Sequence, residues 1–157
     1  MAPLIILIVV TLGLLAAGAA GVRALKPWPV AVRGGLAAMF TATGVAHFVG
    51  MRAELIAMVP PALPAPGLLV TVTGVLELLG AAALLWHRTA PWAAGGLSVL
   101  LVAMFPANVY AAANGLAIST GDQLAPRTAM QVVFLAATLS VVVAHLRTRR
   151  GPRARVG

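Results

Sequence analysis

Gly67-Leu-Leu-Val-Thr-Val-Thr-Gly-Val-Leu-Glu77-Leu-Leu-Gly-Ala-Ala-Ala-Leu-Leu-Trp-His87 is the stretch whose reading decides the fold. It is long enough to cross a bilayer as a helix, and Glu77 is the charged side chain at its middle. By the helical rise, Glu77 sits about 15 Å from either end. A carboxylate at that depth is costly, so it is expected to face a bundle interior and to have partners there.

The rest of the chain agrees with this reading. Of its 157 residues 61% are hydrophobic and only 9% charged, too little charge to clothe a soluble domain of this size. Runs such as Leu4–Val10 lack the alternation that a membrane β-barrel needs. The expected class is all-α: a polytopic membrane protein, a four-helix transmembrane bundle plus an extra N-terminal transmembrane helix. Five spans are expected, at Leu4–Val22, Val30–Gly50, Gly67–His87, Pro91–Ala112 and Arg127–Leu146. Turns fall at Lys26-Pro-Trp-Pro29, His87-Arg-Thr-Ala-Pro91, Asn114-Gly115 and Ser119-Thr-Gly-Asp122. The chain thus divides into an N-terminal helix (1–25), a four-helix core (26–146) and a basic tail (147–157).

Charge sets the expected orientation. The loops after spans 1 and 3 share a side with the C-terminus, and that side holds Arg23, Lys26, Arg33, Arg88, Arg147, Arg149, Arg150, Arg153 and Arg155. The other side holds Arg52 and Arg127, offset by Glu54 and Asp122. The expectation is a multi-pass protein of the cell membrane, N-terminus outside and C-terminus cytoplasmic. The net charge of +8 is therefore read as topogenic; no aromatic interleaving points to a nucleic acid partner. Met1-Ala-Pro lacks a basic n-region and positive charge follows the apolar run, so the first helix is expected to be retained. Its Gly13, Ala17 and Gly21 form a small-residue stripe suited to close helix packing. Met51–Pro60 can form a short interfacial helix, after which Pro60, Pro61, Pro64 and Pro66 forbid regular structure. This segment, 51–66, is expected to lie against the outer face or to dip back as a lid.

The 3.6-residue period sorts the polar residues. Arg33, Ala37, Phe40, Gly44, His47 and Met51 share one face of the second span, and Val70, Thr73, Gly74, Glu77 and Gly80 one face of the third. Arg127, Gln131, Leu135, Thr138 and His145 align on the fifth. On the fourth, Asn108 follows Pro106, whose ring deprives the Val102 carbonyl of its helical donor. Depth and direction then place His47, Asn108, Arg127 and Gln131 in the outer half with Glu77. These five are the candidate ligand-binding residues, and Arg33 and Thr73 are secondary ones. No metal site is expected. His87 and His145 lie at the opposite interface, where a paired-histidine haem site is not expected. Without cysteine the chain has no thiol chemistry of its own.

Arg33-Gly-Gly-Leu-Ala-Ala-Met-Phe40, Gly44-Val-Ala-His-Phe48, Met58-Val-Pro-Pro-Ala-Leu-Pro64, Gly74-Val-Leu-Glu77, Phe105-Pro-Ala-Asn108 and Arg127 with Gln131, in that order, resemble the DoxX-like family of small membrane proteins. The resemblance spans Arg33 to His145 and implies a four-helix membrane core. Some relatives are tied to quinone-linked thiosulfate oxidation or to membrane redox enzymes, and the family supplies no catalytic residues to carry over. The implied function is a subunit or ligand-binding component, for a quinone or another lipophilic molecule, of a membrane redox system. The partners are then the lipid bilayer, a redox enzyme and further copies of the chain. A scaffold without catalytic activity, a small proton-coupled transporter and an acid–base membrane enzyme using Glu77 and His47 are the competing readings.

Overall fold

In the computed structural model, which describes residues 1–116 and 123–150, the chain is helical throughout, with no strand among the described residues. The helices are α1 (Ala2–Ala19), α2 (Trp28–Ala46), α3 (Arg52–Ala57), α4 (Pro66–Leu85), α5 (Ala90–Ala113) and α6 (Leu124–Arg150), with a 3₁₀ turn at Arg23–Leu25. The expected turn at Ser119-Thr-Gly-Asp122 and the tail residues Arg153 and Arg155 lie outside the described residues. Each of the five long helices carries a proline within its first three residues: Pro3, Pro29, Pro66, Pro91 and Pro126. There the missing N–H is one that no helical carbonyl could have reached, and the fixed φ suits the helix start.

Helices α1, α4, α5 and α6 are long and apolar enough to cross a membrane. Helix α2 is less apolar and carries Arg33, yet it must cross too. It starts at the end where α1 finishes and runs antiparallel to both α1 and α4, stopping about two turns short of the level where α4 begins. Packing explains its composition: α1, α4 and α6 surround α2, and Ala31, Gly35, Leu36, Ala37, Met39, Phe40 and Gly44 are buried. A helix screened from lipid needs less apolar surface than one that faces it. Helices α2, α4, α5 and α6 close a four-helix ring, and α1 packs on the outside of α2. The core is filled by Leu36, Met39, Phe40, Leu84, Leu97 and Phe134.

The docking of α1 differs from the stripe expected for it. Gly13 and Gly21 meet nothing within 4 Å of a notional Cβ, and Gly13 is exposed. The contact row is Leu7, Thr11, Leu14 and Gly18, at steps of four, three and four. The small residues that admit it are largely on α2: Gly34 against Leu14, and Gly35 against the Thr11 hydroxyl and the Leu7 carbonyl. Among the described residues the buried Thr11 Oγ1 has no conventional hydrogen-bond partner. It occupies the place of a Cβ at residue 35, the position of a weak Cα–H···O contact.

One end of the bundle gathers Arg23, Lys26, Trp28, Arg33, Trp86, Arg88, Trp92, Arg147 and Arg149. Arg33 donates from Nε to the Leu84 carbonyl (2.7 Å) and from Nη2 to the Leu85 carbonyl (2.8 Å). It closes the last turn of α4, where a cation also complements the negative end of the helix dipole. The opposite end carries Arg52, Glu54 and the start of α6 with Arg127.

Candidate functional site

Glu77 is 3% exposed and faces α2, not lipid. The Thr43 hydroxyl donates to its Oε2 at 2.6 Å. One turn further along α2, His47 is 7% exposed, and its Nδ1 lies 2.9 Å from the Thr43 carbonyl. A carbonyl can only accept, so Nδ1 carries the proton and Nε2 of the neutral ring is left as an acceptor. Among the described residues no donor reaches Glu77 Oε1 and no partner reaches His47 Nε2.

Two glycines shape this contact. A Cβ on Gly44 of α2 would lie 2.9 Å from the Leu78 side chain and 3.3 Å from Glu77 Cβ. A Cβ on Gly74 of α4 would lie 2.5 Å from His47 Cβ and 2.9 Å from Phe48. Each helix therefore offers a glycine beneath the polar residue of the other. Depth along the chain suggests a large axial offset between Glu77 and His47, and the structure brings them within one turn. The reason is that α2 ends at Ala46, level with Gly74, while α4 extends two further turns beyond that level to Pro66.

Helix α3 and the proline segment occupy the space above. Arg52 donates from Nη1 to the His47 carbonyl (3.1 Å), and from Nη2 to the Gly67 carbonyl (3.2 Å) and the Thr71 hydroxyl (3.0 Å). It ties the end of α2 to the start of α4 directly over His47. Sequence reading used Arg52 only to weigh charge between the two sides; nothing in its spacing marks it as a clamp. The segment is bounded by two left-handed residues, Gly50 (φ +82°) and Ala65 (φ +50°).

The remaining candidates form a second group. Arg127 Nη1 donates to Asn108 Oδ1 at 2.7 Å and lies 3.8 Å from the Met58 sulfur, so α5, α6 and the proline segment meet there. Gln131 Nε2 donates to the Leu101 carbonyl at 2.8 Å. Pro106 points to Val102 as the carbonyl in need of a donor, and the side chain bonds Leu101 instead. Leu101 lies on the buried face of α5 that meets α6, whereas Val102 is exposed. Ser98 and Thr138, both buried, add a hydroxyl pair across α5 and α6 at 2.8 Å. Thr73 bonds back to the Leu69 and Val70 carbonyls of its own helix. Arg33 lies at the other end of α4, about 10 Å from Glu77 by the helical rise. No group of His, Asp or Glu able to hold a metal occurs among the described residues.

Two apolar clefts open on the lipid-facing surface. One, of about 290 Å³, lies between α4 and α5 around Leu76, Gly80, Ala93 and Leu97. The other, of about 240 Å³, lies where α1, α2 and α6 meet. Neither is lined by Glu77 or His47.

A family model described as a domain of unknown function (DUF8561) matches residues 36–149, and the chain belongs to that family. No curated protein and no solved structure matches it.

Proposed function

We propose that this member of the DUF8561 family is an integral membrane protein that binds a lipophilic small molecule of the quinone class through Glu77 and His47. What supports the reading is a single observation: two polar side chains are almost fully buried within one helical turn of each other, and each keeps one polar atom without a partner among the described residues. A quinol hydroxyl can donate to His47 Nε2 or to Glu77 Oε1. A quinone carbonyl can accept only from the protonated form of either group, so as an acceptor pair the site favours the reduced ligand. In this proposal the DoxX-like resemblance extends to function, and the chain serves a membrane redox enzyme as a ligand-binding subunit. It sits in the cell membrane with its basic end cytoplasmic, as the distribution of arginine favours, and receives its ligand in the outer half.

The test is mass spectrometry of organic extracts from protein purified in mild detergent. A quinone-class molecule present near one per chain, and lost in Glu77→Gln and His47→Ala, is the expected result. A ligand-free wild type that also fails to bind an added short-chain quinol overturns the proposal.

A second reading has an observation of its own. The clefts lie away from Glu77, and the Thr43 bond joins α2 to α4 directly. In that reading the buried carboxyl is an interhelical lock and the protein a scaffold. Glu77→Gln would then lower thermal stability while leaving the content of bound small molecules unchanged.

A further inference from the structure

We propose that the cleft between α1, α2 and α6 is a binding site for an anionic phospholipid, with an acyl chain in the cleft and the headgroup phosphate on Arg147. The cleft, about 240 Å³, is walled by Leu7, Ile8 and Leu12 of α1, Val32 of α2 and Ala137 of α6. Thr11 and Ser140 also line it, and both hydroxyls are turned away from it. Thr11 Oγ1 is pressed onto Gly35, and Ser140 Oγ donates to the Ala137 carbonyl at 2.7 Å. The wall is therefore hydrocarbon in character, suited to an alkyl chain and not to a headgroup.

Charge selects the class of lipid. Val32 is one turn from the basic end of α2, so the cleft reaches toward that end. On α6 the row Ala137, Ser140, Ala144 and Arg147 advances by three, four and three residues along one face. Arg147 is exposed and stands about 10 Å beyond Ser140 by the helical rise. On α2, Trp28 stands one turn beyond Val32, is half exposed, and follows Lys26. Tryptophan is enriched at headgroup depth, and a cation at that depth attracts an anionic headgroup. Among the described residues the carboxylates are Glu54 on α3 and Glu77 on α4, and neither helix lines this cleft.

Native mass spectrometry of the full chain in detergent, titrated with phosphatidylglycerol or with phosphatidylcholine of the same acyl composition, tests the site. The wild type is expected to retain phosphatidylglycerol in preference. Arg147→Gln should lower that preference about fivefold, the effect of one basic residue near an anionic headgroup. Arg88→Gln, at the same end but on the α4–α5 connection, should leave it unchanged. Ala137→Phe should reduce retention of both lipids by filling the cleft, and Val32→Phe takes its place if that variant does not fold. Equal retention of the two lipids by the wild type overturns the proposal. So does a loss in Arg88→Gln equal to that in Arg147→Gln, or undiminished binding in the filled-cleft variant.

Discussion

His47 is seated on Gly74. A Cβ at position 74 would lie 2.5 Å from His47 Cβ and 3.0 Å from its Cγ, closer than a packed side chain allows. The imidazole is thus held against α4 by the absence of a side chain there, one turn from Glu77.

Gly74→Ala should therefore push α2 from α4 and cost about 1–3 kcal/mol, the range for overpacking a core. Gly13→Ala is the matched control. It meets nothing within 4 Å and should be neutral or slightly stabilising. Reversible unfolding in mixed micelles, comparing both variants with the wild type, checks the pair.

The Thr43–Glu77 bond should show as coupling. Thr43→Val removes the donor to Oε2 and should cost about 1 kcal/mol, since interhelical hydrogen bonds in membranes are modest. Combined with Glu77→Leu, which removes the group left unpaired, the loss from Thr43→Val should shrink. A double-mutant cycle on unfolding free energy reads this directly, and strictly additive costs would deny the coupling.

Arg33 should resist replacement by lysine. Its Nε and Nη2 reach two successive carbonyls, Leu84 and Leu85, and an ammonium cannot reproduce that fork. Arg33→Lys should retain only part of the stabilisation lost in Arg33→Gln, with the full effect about 1–2 kcal/mol. Melting temperatures of the two variants give the ordering.

By contrast, the Ser98–Thr138 pair should matter little despite its burial. Each hydroxyl also lies against a carbonyl of its own helix, Ser98 against Ala94 (2.8 Å) and Thr138 against Phe134 (3.0 Å). Ser98→Ala should cost under about 1 kcal/mol by the same unfolding measurement.

How far the site was legible follows from these residues. Glu77 announces itself as a charge in an apolar helix, and the helical period correctly assigns His47, Gly44 and Gly74 to inward faces. Asn108 and Arg127, placed at one depth by the direction of their spans, are hydrogen-bonded to each other. Period and depth do not reveal that α2 stops at Ala46, which lowers His47 to the level of Gly74. Nor do they reveal Arg52, whose contacts all depend on how the 51–66 segment folds back.

By itself, then, the amino-acid sequence determined that the chain is helical and membrane-embedded, where its spans begin, and which faces of α2, α4 and α6 turn inward. Those properties follow from local physics: hydrocarbon runs of bilayer length, prolines at helix starts and a 3.6-residue period. Tertiary structure alone decided which inward residues meet. It chose Thr43 for Glu77, seated His47 on Gly74, moved the α1 contact from the Gly13 stripe to Leu7, Thr11 and Gly18, and gave the Gln131 bond to Leu101. Partners of this kind depend on the axial offset and separation of neighbouring helices. Those are set by ångström-scale fits of side chains over glycines, for which no single helix carries the information.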